Sequence, residues 1–436
     1  MEKFIIDGGR PLSGTVKISG AKNSVLPIMA ASILSGQSVH LKNVPDLRDV
    51  NTMARLLGQM GAEITLDDQR DYTIDASILN SYTATYELVK TMRASFLVLG
   101  PILTKYGKAE VSLPGGCAIG ARPVDLHLKG LEMMGANIQV ESGYVKALAT
   151  HGLKGAEIFL EIVSVGATEN LIMVGVLADG TTVIHNAARE PEIIDLADFL
   201  RSMGAKISGD GTSTVEVIGV SRLSGVTHSI IGDRVEAATF LIAAAASKGD
   251  IDVIGFNPDY LSILLDKLRS AGAKLELGET SVRLSMDSDV LSPVDIETDV
   301  YPGFPTDMQA QFMVLNCIAE GKSVMRERIF ENRFLHVQEL SRLGAKIELR
   351  GNSTAIITGV EEYGFFAQCS DFPVEGLVHI RTLKDDHYYY EEATHSLIAR
   401  SRGHRFQLGR SVTVQVAKVD RDRMQLDFRV VNQPSK

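Results

Sequence analysis

The stretch LPGGCAIGARP, residues 113–123, sets a thiol inside a glycine-rich turn with an arginine five residues further on. A cysteine kept only for packing sits more often in an apolar strand or helix. Here the glycines predict an exposed loop, and Arg122 would favour the Cys117 thiolate or hold an anion beside it. On the loop alone, a reactive thiol and a small buried hydrophobe are equally good readings.

Four further stretches carry residue types suited to chemistry on anions. ISGAKNSVLPIMAAS places Lys22 and Asn23 at the start of an apolar helix. A cation beside free backbone N–H groups makes an anion seat, although a solvated surface lysine reads the same way. TMRAS brings Arg93 to the head of the apolar segment ASFLVLG, and RPVDLHLKGL puts Asp125 in the first turn of another helix, where it would satisfy the dipole. In YPGFPTDMQAQFMVLNCIA, Asp307 reads either as a helix cap, shared with Thr306, or as a general base at the edge of a cleft. Taken singly, the cap is the simpler role.

The elements that must position these residues follow from an internal repeat. The pattern Leu-x-x-x-Gly-Ala occurs as LGQMGAEI, LEMMGANI, LRSMGAKI, LRSAGAKL and LSRLGAKI, with glycines at Gly61, Gly135, Gly204, Gly272 and Gly344. Each copy predicts an amphipathic helix ending at a left-handed glycine, followed by a strand. Alternating segments such as AKIELRGNSTAIITGV then supply paired strands. A unit of about seventy residues combining helices with a small sheet makes compact α+β lobes rather than a thin solenoid. Where a sixth copy is due, VTVQVAKVD is an alternating strand with no helix before it.

The chain of 436 residues is long enough for two or three domains, and 45% hydrophobic residues suffice for packed cores. Its longest apolar run, FLIAAAA, is far too short to span a bilayer, no signal-peptide core follows the first residues, and Cys117, Cys317 and Cys369 lie too far apart for a zinc pattern. The expectation is a soluble cytoplasmic protein without metal or other cofactor and without membrane contact. The sequence leaves its oligomeric state open. A net charge of −10 argues against non-specific affinity for nucleic acid by the whole molecule. The charge is uneven, however: residues 361–436 hold 11 basic and 11 acidic side chains and 9 of the 26 Phe and Tyr. Both changes place a domain boundary near position 360.

Residues 1–360 resemble the bacterial UDP-N-acetylglucosamine enolpyruvyl transferases, which open peptidoglycan synthesis. The resemblance runs through SGAKNSVLPIMAASIL, TMRAS, LPGGCAIGARPVDLH, VSVGATEN, NAAREPEI, FPTDMQAQF and IFENRF. It implies a two-lobed α+β fold of inside-out α/β repeats. Residues 22–229 would form the first lobe, and residues 1–21 with 230–357 the second, which holds two of the usual three repeats. The implied reaction moves the enolpyruvyl group of phosphoenolpyruvate to the sugar 3′-hydroxyl and releases phosphate. By resemblance Cys117, Asp307 and Lys22 are catalytic, with Asp307 as base and Cys117 near the general acid. Lys22, Asn23 and Arg122 hold phosphoenolpyruvate, while Arg93, Arg122, Pro123, Val124, Asp125, Leu126, Ser164, Val165, Asp307 and Ile329 hold the UDP-sugar. One departure is Ile162, where many relatives carry a lysine.

The last residues resemble something else. GVEEYGFFAQ, EGLVHI, LGRSVTVQVAKVD and LDF match the C-terminal RNA-binding OB-fold domain of ribonucleases R and II. Short alternating strands with glycine turns predict a five-stranded barrel over 358–436, with DDHYYYEEATHSL as an acidic insertion. The resemblance makes Tyr363, Phe366 and His379 stacking candidates for single-stranded RNA, with Arg421 and Arg423 near its phosphates. The family's own C-terminal segment, with its late arginine for phosphoenolpyruvate, is replaced. Hence the expected transferase activity is impaired, and the alternatives are an RNA-binding protein or a non-functional chimera carrying an inactive transferase body.

Overall fold

The computed structural model describes residues 8–436 except 69, 115–123, 287–289, 331–332, 351–353, 358–363, 369–374, 380–381, 384–386, 392–395, 401–404, 408–412, 421–424 and 433–436. Two compact units are present, Met1–His336 and Val337–Lys436.

In the first unit one arrangement recurs in four sheets. A parallel pair is extended by two antiparallel strands. Ser13–Lys17 pairs with Asp250–Ile254, which is followed by Ser281–Ser285 and Lys274–Leu277. Thr227–Ser229 and Val39–Lys42 are followed by Tyr72–Asp75 and Glu63–Leu66. Thr83–Ala84 and Lys108–Ser112 lead to Tyr144–Leu148 and Asn137–Glu141, and Glu157–Phe159 and Thr181–His185 lead to Thr214–Ile218 and Lys206–Ser208. The parallel pair Ile296–Glu297 with Ser323–Arg326 closes the unit.

Two kinds of helix serve these sheets. Arg48–Gln59, Asp125–Met133, Pro191–Ser202 and Ser262–Ala271 are followed within two residues by Gly61, Gly135, Gly204 and Gly272, all at positive φ. That conformation costs glycine little and ends the helix, so the chain can turn into the next strand. The other kind is apolar nearly all round and buried, as its composition requires. Lys22–Ala31, Leu99–Tyr106, Val165–Gly175 and Arg234–Ala246 belong to it. Lys22–Ala31 packs on Arg48–Gln59 and Pro191–Ser202, and Gln309–Cys317 packs on Arg234–Ala246. One contiguous hydrophobic cluster draws every member from Ala21 to Ile230. Within it, the Lys105 ammonium donates to the carbonyls of Ile33, Ser35 and Ala76 at 2.7–2.9 Å, tying three segments together although burial pushes its pKa down to about 8.

In the second unit the helix His336–Arg342 begins at the boundary and is followed by Gly344, again at positive φ, and by the hairpin Ile347–Arg350 with Thr354–Ile357. The tail departs from the sequence expectation of five strands. Seven strands are described there, in a sheet of four (Gly364–Gln368, Glu375–His379, Gln425–Asn432, Thr413–Asp420) and a sheet of three (Tyr388–Glu391, Ser396–Ala399, Arg405–Gln407). The segment read as an acidic insertion supplies one of the additional strands. Its YYYE run has strong β preference and finds Ser396–Ala399 as an antiparallel partner.

Candidate active site

Lys22 opens its helix as expected, but the anion seat is already partly taken. Its backbone N–H donates to Asp233 Oδ2 (3.1 Å), and its ammonium stands 3.6 Å from Asp49 Oδ2. Asp233 in turn caps the helix Arg234–Ala246, accepting from the N–H groups of Val235 and Glu236. Two helix N-termini therefore meet over one carboxylate, which favours negative charge between them. Asn23 is exposed beside Lys22. Next to it, Asp195 fixes the helix: it accepts from Ser24 Oγ, from His228 Nε2 (2.9 Å) and from the N–H of Ile231 (3.4 Å).

Arg93, Asp125, Leu126, Ser164 and Val165 come together around a residue the sequence reading passed over. His127 is buried on the helix that Asp125 begins, with Val124 half-buried just before it. It accepts from Asn170 Nδ2 (3.1 Å), meets the Phe96 ring edge-on at 5.3 Å, and lies against Gly166, where an added Cβ would come within 3.3 Å of the imidazole. Asn170 and Gly166 belong to the helix Val165–Gly175, capped by Ser164 Oγ accepting from Ala167 N–H. Phe96 belongs to the 3₁₀ segment that Arg93 opens. Burial, aided by the Arg93 charge, pushes the His127 pKa down to about 3. The sign follows. Between about 6.5 and 3 the unfolded chain binds a proton that the folded chain refuses, so stability from this group is complete above pH 6.5 and falls as pH drops, by about 1.4 kcal/mol per unit. The variant His127→Gln, measured by urea unfolding at pH 7 and pH 5, is expected to lose less stability on acidification than the unaltered chain; an unchanged difference would refute it.

Asp307 overturns the cap reading. It lies inside the 3₁₀ turn Thr306–Met308, and neither this turn nor the following helix Gln309–Cys317 has a side-chain cap. The carboxylate is held instead by Arg333, whose Nη2 donates to Oδ1 at 2.6 Å, an ion pair that outcompetes a local cap. Asp307 also lies near enough for its charge to act on Arg234. The Arg234 guanidinium is buried, donates through Nε (2.9 Å) and Nη2 (3.2 Å) to both oxygens of Glu192, and stands 5.4 Å from the Tyr301 ring centre. Burial, with Glu192 and Glu190 close by, pushes Glu169 well above the usual carboxylate range, and burial raises Glu190 too. Among the described contacts, no hydrogen bond or ion pair joins Lys22 to Asp307; the start of the helix Arg234–Ala246 connects them, through Asp233 on one side and Arg234 on the other.

Ile329 is half-buried, and its backbone N–H is held by the buried Glu327. Arg333 and Glu327 both stand in or beside IFENRF, but only as part of a matching motif; a charged residue in a strand end gives no local sign of being buried. Cys117, Arg122 and Pro123 lie outside the described residues, as do Tyr363, Arg421 and Arg423. Phe366 falls in the strand Gly364–Gln368, and His379 ends the strand Glu375–His379, half-buried. Among the described residues, no helix is long and apolar enough to cross a membrane.

Comparison with known proteins shows what the chain is similar to. Residues 6–371 match the family EPSP synthase (3-phosphoshikimate 1-carboxyvinyltransferase), and residues 353–430 match the S1 RNA binding domain, an OB-fold. A UDP-N-acetylglucosamine 1-carboxyvinyltransferase of Shewanella amazonensis is 56% identical over 361 residues, which is 83% of this chain and 86% of the relative. The protein of that name from Coxiella burnetii is 54% identical over 362 residues, 83% of each. Among solved structures, the enolpyruvyl transferase NikO from Streptomyces tendae superimposes with a TM-score of 0.71 at 23% identity, covering 81% of this chain and 83% of its own. EPSP synthase from Acinetobacter baumannii gives 0.63 at 18%, covering 82% and 84%. At those identities the two structures speak for the fold alone.

Proposed function

Because this chain belongs to the enolpyruvyl (1-carboxyvinyl) transferase family, we propose that it transfers the enolpyruvyl group of phosphoenolpyruvate to the 3′-hydroxyl of UDP-N-acetylglucosamine. The observation that carries this reading is the 56% identity over 361 residues to a relative named for that activity. In it, Asp307 takes the proton of the sugar hydroxyl, whose oxygen adds to C2 of the enol while C3 receives a proton from an acid at Cys117. Loss of phosphate and of a C3 proton restores the double bond. Lys22, Asn23 and Arg122 face the phosphoenolpyruvate charges. Arg333, on Asp307, is one more cation at that end. The UDP-sugar lies along Arg93, residues 122–126, Ser164, Val165 and Ile329, where the helix N-terminus at Val165 suits its phosphates.

The domains we propose are a lobe over 22–229, a lobe over 1–21 and 230–357, and an S1 domain over 358–436. The core confined to Ala21–Ile230 supports the first, and the pairing of Ser13–Lys17 with Asp250–Ile254 supports the second. The S1 match over 353–430 takes up the end of the chain, past the last of the transferase match at 371, and this supports a turnover below the family's norm. A coupled phosphate-release assay tests this. Slow release that requires both substrates is expected, together with faster fosfomycin alkylation of Cys117 when the UDP-sugar is present. Release at ordinary family rates would refute the impairment; absence of both signals would refute the reaction.

The S1 match favours a second activity, binding of single-stranded RNA with Phe366 and His379 among its contacts. Titration at low salt should show binding that weakens as salt rises. No binding at low salt would dismiss it.

A further inference from the structure

The most heavily coordinated side chain near Asp307 is one that no step above uses. Glu327 is 3% exposed and accepts five hydrogen bonds. Its Oε1 takes the N–H groups of Ile329 (2.8 Å) and Phe330 (3.1 Å) and the hydroxyl of Thr298 (2.9 Å). Its Oε2 takes the hydroxyl of Thr306 (2.9 Å) and the amide of Gln309 (3.1 Å). The two oxygens thus serve different clients. One holds the backbone at Ile329, reinforced by Thr298 Oγ1 accepting from the N–H of Arg328 at 2.9 Å. The other holds Thr306, which opens the short turn containing Asp307, and Gln309, which begins the helix just after that turn.

We propose that Glu327 is a positioning residue for the transfer reaction, holding the Asp307 carboxylate and the Ile329 backbone at a fixed separation; this rests on the reaction proposed above. A short 3₁₀ turn without a side-chain cap has little rigidity of its own, and a base displaced by about 1 Å loses much of its effect. A buried carboxylate saturated with donors supplies the missing rigidity, because each donor released would be left unsatisfied. A part that only stabilised the fold would have no reason to divide its oxygens between the base and the sugar-binding backbone.

The test uses the full chain and two nearly isosteric variants, so it does not depend on Glu327 replacements folding. Thr306→Val removes a donor on the Asp307 side and is expected to lower kcat about tenfold with the KM for UDP-N-acetylglucosamine within twofold. Thr298→Val removes a donor on the Ile329 side and is expected to raise that KM several-fold with a smaller change in kcat. Glu327→Gln is expected to keep most activity. Its amide oxygen can stay with Thr298, Ile329 and Phe330, and its NH₂ can donate to a reversed Gln309, whose Oε1 is buried without a partner. Equal effects of the two threonine variants on kcat and KM, following only their loss of Tm, would overturn the proposal. So would a Glu327→Gln variant that keeps the Tm of the unaltered chain and is as inactive as Glu327→Leu. If the unaltered chain neither binds the UDP-sugar nor turns over, the parent reading falls with it; if it does both and the split is missing, this inference falls alone.

Discussion

Asp307→Asn is expected to lower kcat by about a thousandfold, within the range that a positioned general base contributes. The amide has nearly the same shape and still accepts from Arg333, so the turn Thr306–Met308 stays in place and only the proposed role as base is removed. With the Asp307 side chain 43% exposed and its ion pair half in water, the change in stability should stay within about 1 kcal/mol. Binding of UDP-N-acetylglucosamine, measured by titration, should weaken far less than turnover. A phosphate-release rate within tenfold of the unaltered chain would remove Asp307 from the chemistry.

Glu192→Ala should damage the fold severely, costing about 3–5 kcal/mol in urea unfolding followed by circular dichroism. The reason lies in burial: side chains of Arg234 and Glu192 are 8% and 4% exposed, so removing one leaves a desolvated charge rather than a solvated one. Arg234 already carries a buried Nη1 without a partner, so it has little capacity to lose more. The double variant Glu192→Gln with Arg234→Met should recover most of the loss, since what is costly is the uncompensated charge. A single-variant cost below about 1 kcal/mol would show that Glu190 takes over as counter-ion, a role its nearness to Arg234 allows.

Both predictions draw on residues of unequal legibility in the sequence. Lys22, Arg93 and Asp125 announced themselves because each stands where an apolar run begins, and a helix start is a local event; Ser164 entered only through the resemblance. The glycines at 61, 135, 204, 272 and 344 were equally legible: a left-handed residue between a helix and a strand is a demand of the backbone, and all five have positive φ. Of the two readings of Asp307, cap or base, the structure removes the cap. Capping is the local option, whereas Arg333 reaches it from 26 positions away. His127, Glu327 and the pair Glu192–Arg234 went unassigned for the same reason. Nothing within a few residues of Glu327 says that five donors will converge on it.

Composition and periodicity alone therefore determined that this chain builds repeated α+β units, that its last part is a different β-rich module, and that Lys22, Arg93 and Asp125 stand at helix starts. Tertiary structure alone decided which charges are buried and what holds them: Asp233 shared by two helix ends, Arg234 closed on Glu192, Asp307 on Arg333, and Glu327 as a five-fold acceptor beside that turn. Local pattern is set by dihedral preference and hydrophobic spacing over a few residues. The cost of a buried charge depends instead on donors and acceptors brought from distant parts of the chain, and only the folded arrangement brings them together.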